Sequence, residues 1–291
     1  MTDGWRVWLL AIRPRTLPAA VAPIVVGTAV AMREDGFHAL AALVALVVAL
    51  LLQIAANLAN DVFDFRRGAD RTRLGPTRVT QSGLIAPGRV LRTTGLVVVA
   101  AILGGLYLVW RGGWPILVVG LLAVIAAVAY TGGPFPLGYH GLGDPFAFLF
   151  FGPIGVAGSA YVQTNELTWL GVLASVPIGC LVAAIIVVNN LRDLETDRAA
   201  GKQTLAVRLG RRGAIGEYLT LVTAAYLIPP ALWIGGSIGA WALLTWISLP
   251  LAVMLARGVG VTTGKALNPL LAGTARLALV FAVLFAAAIV A

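Results

Sequence analysis

This sequence predicts an all-α, polytopic membrane fold, and three observations lead there. The chain is 59% hydrophobic and only 11% charged, with a mean hydropathy of +0.93, outside the range of soluble domains. Its apolar residues gather into nine runs of about 16–22 residues, against the roughly 20 that a helix needs to cross a bilayer. Those runs are unbroken, so the alternating strands of an outer-membrane barrel are excluded. A helix is then the way for such a run to satisfy its backbone groups in lipid.

The elements follow in order. Trp5-Arg6-Val7-Trp8 supplies aromatic and basic anchors without a small-residue cleavage site, which reads as an interfacial segment and not as a signal peptide. Span 1, Leu17–Met32, carries Pro18 and Pro23. Spans 2 to 4 are His38–Ala59, Thr93–Trp110 and Trp114–Tyr130, with a turn at Gly112-Gly113. Spans 5 and 6 are Pro145–Tyr161 and Leu167–Val188. Spans 7 to 9 are Ala214–Trp233, Gly239–Leu255 and Leu271–Val290, with a turn at Gly235-Gly236. No Ser/Pro-rich linker divides them, so residues 1–291 read as a single domain. The longest polar connections, 60–92 and 189–213, carry most of the charge.

Lys and Arg bias sets the orientation. With the N-terminus inside, all of the 21 basic residues except Arg33, Arg111 and Arg276 fall in cytoplasmic segments. This topology accounts for the net charge of +9. The basic residues flank helices and form no soluble basic domain, which argues against nucleic acid as a partner. The single Cys180 excludes an intramolecular disulfide and reads as a small packing residue.

Function is carried by two acidic clusters. The first is Asn57, Asn60, Asp61 and Asp64, with Asp70 beyond; the second is Asn189, Asn190, Arg192, Asp193, Glu195 and Asp197. Together they hold half of the 12 acidic residues, each cluster directly after an apolar run where a carboxylate is costly unless compensated. Continued helix would put Asn57, Asp61 and Asp64 on one face, and Asn189, Asp193 and Asp197 on another. Oxygen donors without nearby His or Cys favour a hard cation such as Mg²⁺, whose remaining ligands come from water and substrate phosphate. Neighbouring arginines and Lys202 suit an anionic ligand. Two metal-and-phosphate half-sites on one membrane face point to a lipid diphosphate, with its tail among the helices. Tyr130, Tyr139, Phe146, Phe148, Phe150 and Phe151 are candidates for the dry, aromatic wall that an allylic cation requires.

These residues resemble the UbiA-type intramembrane prenyltransferases. Asn60-Asp61-x-x-Asp64 followed by Asp70 is similar to that family's first Asp-rich motif. Asp193-x-x-x-Asp197, leading to Gly201-Lys202 and Arg208-Leu-Gly210, is similar to its second. The resemblance covers residues 13 to about 213. It implies nine helices around a central lipid-open cavity and two Mg²⁺ ions held by Asn60, Asp61, Asp64, Asp70, Asp193 and Asp197. The same residues, Asp70 aside, would be the catalytic set. Arg78, Lys202, Arg192, Asn190 and Tyr130 would bind the diphosphate.

Three further segments resemble the branch that prenylates 1,4-dihydroxy-2-naphthoate in menaquinone biosynthesis. They are Arg13-Pro-Arg15-Thr-Leu-Pro18, Gly75 to Gly83, and Tyr130 to Asp144. That likeness implies polyprenyl diphosphate as donor, loss of CO₂ and diphosphate, and demethylmenaquinone as product. Arg13, Arg15, Tyr139 and Asp144 become candidates for binding the acceptor. The implied setting is the cell membrane, with lipid around the helices and the site facing the cytoplasm. Two alternatives stand beside this reading. One is another acceptor, such as 4-hydroxybenzoate, homogentisate or a sugar phosphate. The other is a secondary transporter, whose ion sites belong at mid-membrane rather than at helix ends.

Overall fold

The computed structural model describes residues 4–68 and 74–291, and every regular element among them is helical. Helix α1 (Gly4–Ile12) meets α2 (Pro18–Arg33) at a bend of 51°. Pro14 and Pro18 interrupt the hydrogen-bond ladder there, and Arg13 takes a left-handed φ of 56°. Helices α3 (Ala39–Arg66) and α4 (Pro87–Gly112) form an antiparallel pair, with α5 (Trp114–Ala129) leaning on both.

The next membrane-length run, Gly143–Thr164, is built from α6 (Gly143–Leu149), a π-helical stretch (Phe150–Ala157) and α7 (Gly158–Thr164). Pro153 lies in the π-helical stretch, where its missing N–H rules out a regular α-ladder. Then come α8 (Trp169–Arg192), the short α9 (Leu194–Ala199) and α10 (Leu205–Ile234), which Gly210 kinks at φ 67°. A 3₁₀ stretch (Ala240–Ser248) runs into α11 (Leu249–Val261), and α12 (Asn268–Val290) closes the chain.

Among the described residues, seven helices are long and apolar enough to cross a membrane, eight if the bent α1–α2 pair counts as one span. The fourth predicted span is the 16-residue α5, which falls short of that length. Several helices outrun their apolar stretches. Helix α3 continues from Ala59 to Arg66 and carries the first acidic cluster on helix.

Helix α8 is the hub, buried along most of its length and packed by α2, α6, α10 and α12. The π-helical stretch reaches it at a glycine crossing. A Cβ built on Gly152 would lie 2.9 Å from Gly179 Cα, so only glycine allows that approach. The main apolar core, including Ile178, Leu181, Phe281 and Phe285, lies between these helices. A second, smaller core at the acidic end joins Val7 and Ala11 of α1 to Leu58 and Val62 of α3, Val79 and Ile85 of the following loop, and Val90 of α4. Exposed Trp110, Trp114 and Trp169 mark the opposite end, as membrane-interface tryptophans do.

Candidate active site

The two acidic clusters meet at one end of a large cavity. Its volume is about 570 Å³. Along α3 it is lined from Ala45 to Asp64, a length of about 28 Å at helical rise. The walls are apolar and come from α2 to α5, the π-helical stretch and α8. The polar end is built from Asn60, Asp64, Arg78, Tyr139, Asp193, Asp197 and Lys202.

Asp64 is the centre of this end. Its Oδ2 accepts from Arg78 Nη2 at 3.0 Å, in an ion pair with both side chains almost fully buried. Its Oδ1 accepts from the Tyr139 hydroxyl at 2.8 Å and lies 3.7 Å from Lys202 Nζ. Lys202 also lies 3.4 Å from Asp197 Oδ1, so one ammonium bridges the two clusters. Gly201, at φ 75°, makes the turn after α9 that brings Lys202 back, and the Lys202 N–H donates to the Asp197 carbonyl at 2.9 Å. The Tyr139 ring carries Lys202 Nζ at 4.5 Å and Arg67 Cζ at 5.2 Å from its centroid. Arg67 also donates to the Thr131 and Gly133 carbonyls, which fixes the loop after α5.

Asn189, Asp193 and Asp197 of the second cluster all line the cavity, as their predicted common face requires, but not on one continuous helix. Helix α8 ends at Arg192, Asp193 has φ −94° and ψ 8°, and α9 begins anew at Leu194. Asp193 is therefore held by Arg192, whose Nε donates to Oδ1 at 2.8 Å and whose Nη2 donates to Oδ2. Arg192 Nη2 also donates to Asn189 Oδ1 at 3.0 Å. Burial pushes the Asp197 carboxyl up to about 6; Lys202 pulls it down, and the charge of Asp193 adds to the rise.

Several predicted site residues take other places. Asp61 is 1% exposed and does not line the cavity. Its Oδ2 accepts from the Val79 N–H at 3.1 Å and its Oδ1 from the Thr80 N–H at 2.9 Å. It follows Asn60 by one residue, a rotation of about 100° about the helix axis, and that rotation aims it at the loop behind the site. Asn57 lines the cavity, but its amide is engaged in support, donating to the Ile12 carbonyl and Thr16 Oγ1, both at 2.9 Å, and so fastens the α1–α2 bend. Tyr139 sits on Asp64, which makes it part of the charged end. Asp144 is buried behind Asn190, whose Nδ2 approaches its two oxygens at 3.4 and 3.3 Å; Asn190 lines the cavity and Asp144 does not. Arg13 lines the cavity, whereas Arg15 is exposed outside it. Of the aromatic candidates, Tyr130, Phe146, Phe150 and Phe151 line the wall, while Phe148 packs on the core of α8. Asp70 lies outside the described residues.

Two contributors escaped the motif pattern. Thr131 donates to Asn60 Oδ1 at 2.7 Å, orienting that amide. It stands beside Tyr130 in a Gly-rich segment, a position that only the fold joins to Asn60. Asn268, at the start of α12, accepts from Arg192 Nη1 at 3.1 Å, and no neighbouring polar residue in the sequence marks it.

The oxygen donors Asn60, Asp64, Asp193 and Asp197 fit a hard divalent cation. Lys202 already shows that the gap between Asp64 and Asp197 accepts positive charge. Among the described residues, no three acidic, His or Cys side chains converge closely enough to hold an ion alone. Such a site relies on oxygens brought by its ligand.

Known proteins resemble the chain over nearly its whole length. The model described as "UbiA prenyltransferase family" matches residues 20–266. The chain is 38% identical over 283 residues to "1,4-dihydroxy-2-naphthoate octaprenyltransferase" of Mycobacterium tuberculosis, covering 97% of this chain and 96% of that one. It is 38% identical to the Escherichia coli protein of the same name, over 96% and 94% of the two chains. Among solved structures, an apo UbiA homolog from Aeropyrum pernix K1 shares the fold at a TM-score of 0.70 and 16% identity, over 97% of both chains. A UbiA homolog from Archaeoglobus fulgidus bound to GPP and Mg²⁺ does so at 0.65 and 12% identity, over 96% of this chain and 99% of that one. The likeness extends past residue 213 into the last three predicted spans, which motifs alone did not reach.

Proposed function

The chain belongs to the UbiA prenyltransferase family, and on that premise we propose that it is a multi-pass membrane enzyme transferring a polyprenyl group from polyprenyl diphosphate to 1,4-dihydroxy-2-naphthoate. The observation that carries this reading is Lys202 bridging Asp64 and Asp197 at the charged end of a long apolar cavity. That end suits a diphosphate, and the depth above it suits an isoprenoid tail.

Residues 1–291 act as one unit, with the charged end facing the cytoplasm of the cell membrane. Arg78 and Lys202 bind the diphosphate oxygens by charge-assisted hydrogen bonds. Without substrate the same cations neutralise Asp64 and Asp197. Asn60 and Asp64 would hold one Mg²⁺ ion and Asp193 and Asp197 a second, and bound metal would supply charge neutralisation for the departing diphosphate. Arg192 orients Asp193 from behind, and Tyr139 orients Asp64. Asp61 belongs to the supporting loop in this assignment and not to the metal ligands.

The prenyl C–O bond breaks with its electron pair leaving on the diphosphate. The ring carbon that bears the acceptor carboxylate attacks the allylic carbon. The carbon–carboxylate bond then breaks, its pair restores the aromatic ring, and CO₂ departs. No net proton is released, so Asp144 need not act as a base. Arg13, on the cavity wall, holds the carboxylate before it leaves. Phe146, Phe150 and Phe151 keep water from the cation.

The test is mass spectrometry of lipid products from purified protein, Mg²⁺ and a mixture of prenyl diphosphates. Acceptors are 1,4-dihydroxy-2-naphthoate, 4-hydroxybenzoate and homogentisate in parallel. The expected product is the prenylated naphthalenediol without its carboxyl group. Product only from another acceptor, or a product retaining the carboxylate, refutes the reading.

A further inference from the structure

We propose that Asn268, at the start of α12, is a positioning residue for prenyl transfer. It ties the loop that carries Arg78 to the second acidic cluster. The inference rests on reading the charged end as a diphosphate site.

Asn268 makes two side-chain hydrogen bonds to partners distant in sequence. Its Nδ2 donates to the Leu74 carbonyl at 3.1 Å, across 194 residues. Its Oδ1 accepts from Arg192 Nη1 at 3.1 Å, across 76 residues. The two partners fix the amide orientation, because a carbonyl needs the NH₂ and a guanidinium needs the oxygen. Arg192 in turn grips both oxygens of Asp193. Leu74 begins the segment whose Arg78 pairs with Asp64 and whose Val79 and Thr80 amides are held by Asp61. One side chain thus joins the first cluster's loop, the second cluster and α12.

The support is rigid. Leu267, just before Asn268, is fully buried, and α12 packs on both α2 and α8. A site held by a firmly packed element keeps its geometry better than one held by loops alone. Asparagine is also the right chemistry, since the position needs a donor and an acceptor together. Aspartate keeps the bond to Arg192 but turns a second acceptor on the Leu74 carbonyl; alanine supplies neither.

The experiment compares wild type, Asn268→Asp and Asn268→Ala in steady-state prenyl transfer, with calorimetric binding of inorganic diphosphate in the presence of Mg²⁺. One lost hydrogen bond corresponds to up to about tenfold in an equilibrium constant. The expected result is a rise of about that size in KM for prenyl diphosphate and in the diphosphate Kd for Asn268→Asp, and a larger rise for Asn268→Ala. KM for the acceptor and the melting temperature should stay near wild type. Unchanged KM and Kd in both variants overturns the proposal. So does an activity loss that only follows loss of folded protein, with KM unaltered. A wild-type protein that binds no diphosphate and transfers no prenyl group would instead defeat the proposed function.

Discussion

Replacing Asp61 by asparagine separates a loop anchor from a metal ligand. Both Asp61 oxygens accept backbone N–H groups, at 3.1 and 2.9 Å, in a place that is 1% exposed. Asparagine retains one acceptor and presents an NH₂ to the other amide. That loses one charge-assisted bond and leaves a buried N–H unpaired, which costs about 2–3 kcal/mol. At 25 °C this is about 30- to 150-fold in the population of the ordered 74–80 loop. Arg78 rides on that loop, so KM for prenyl diphosphate should rise towards that factor. The Mg²⁺ half-saturation at saturating substrate should move much less than in Asp64→Asn, whose side chain faces the cavity. Steady-state kinetics with each ligand varied in turn measures both, and hydrogen exchange at Val79 and Thr80 reports the loop directly. If Asp61→Asn shifts the Mg²⁺ requirement as far as Asp64→Asn while those amides stay protected, Asp61 is a ligand and the anchor reasoning fails.

Three further outcomes are expected. Arg13→Ala should raise KM for 1,4-dihydroxy-2-naphthoate by about 10- to 150-fold, the worth of one charge-assisted bond, while Arg15→Ala leaves it unchanged; acceptor titrations distinguish the two. Asp197, ordinarily near 3.8, titrates at about 6 in the folded chain. The fold therefore binds that proton more tightly than the unfolded chain does, and the metal-free protein loses this stabilisation as pH rises from about 4 through 6. Mg²⁺ needs the carboxylate, so its thermal-shift gain with diphosphate should be small near about pH 5 and full by about pH 7.5. Gly27→Ala should destabilise by about 1–3 kcal/mol, because its Cβ would lie 2.4 Å from the Val156 carbonyl oxygen. Gly158→Ala meets nothing within 4 Å and should leave detergent unfolding unchanged.

The helices and the acidic pairs were legible because both signals are local. Transfer of apolar residues into lipid is additive along a run, so the hydropathy located the spans without any contact being known. Asn60, Asp64, Asp193 and Asp197 declared themselves by being carboxylates and an amide beside apolar helices. What composition could not convey was the end of α8 at Arg192, where Arg192 grips the Asp193 carboxylate. Nor could it show that Tyr139 serves Asp64, or that Asp144 lies behind Asn190.

By itself, the sequence determined that this chain crosses a membrane as helices and brings two oxygen-rich clusters to one side. Tertiary structure decided which donors face the cavity and which support it. A side chain one residue from another on a helix is rotated by about 100°, so Asp61 and Asn60 meet different surroundings despite adjacent positions. Hydrogen-bond partners such as Leu74 and Asn268 are set by packing across the whole chain, and no local pattern encodes a contact spanning 194 residues.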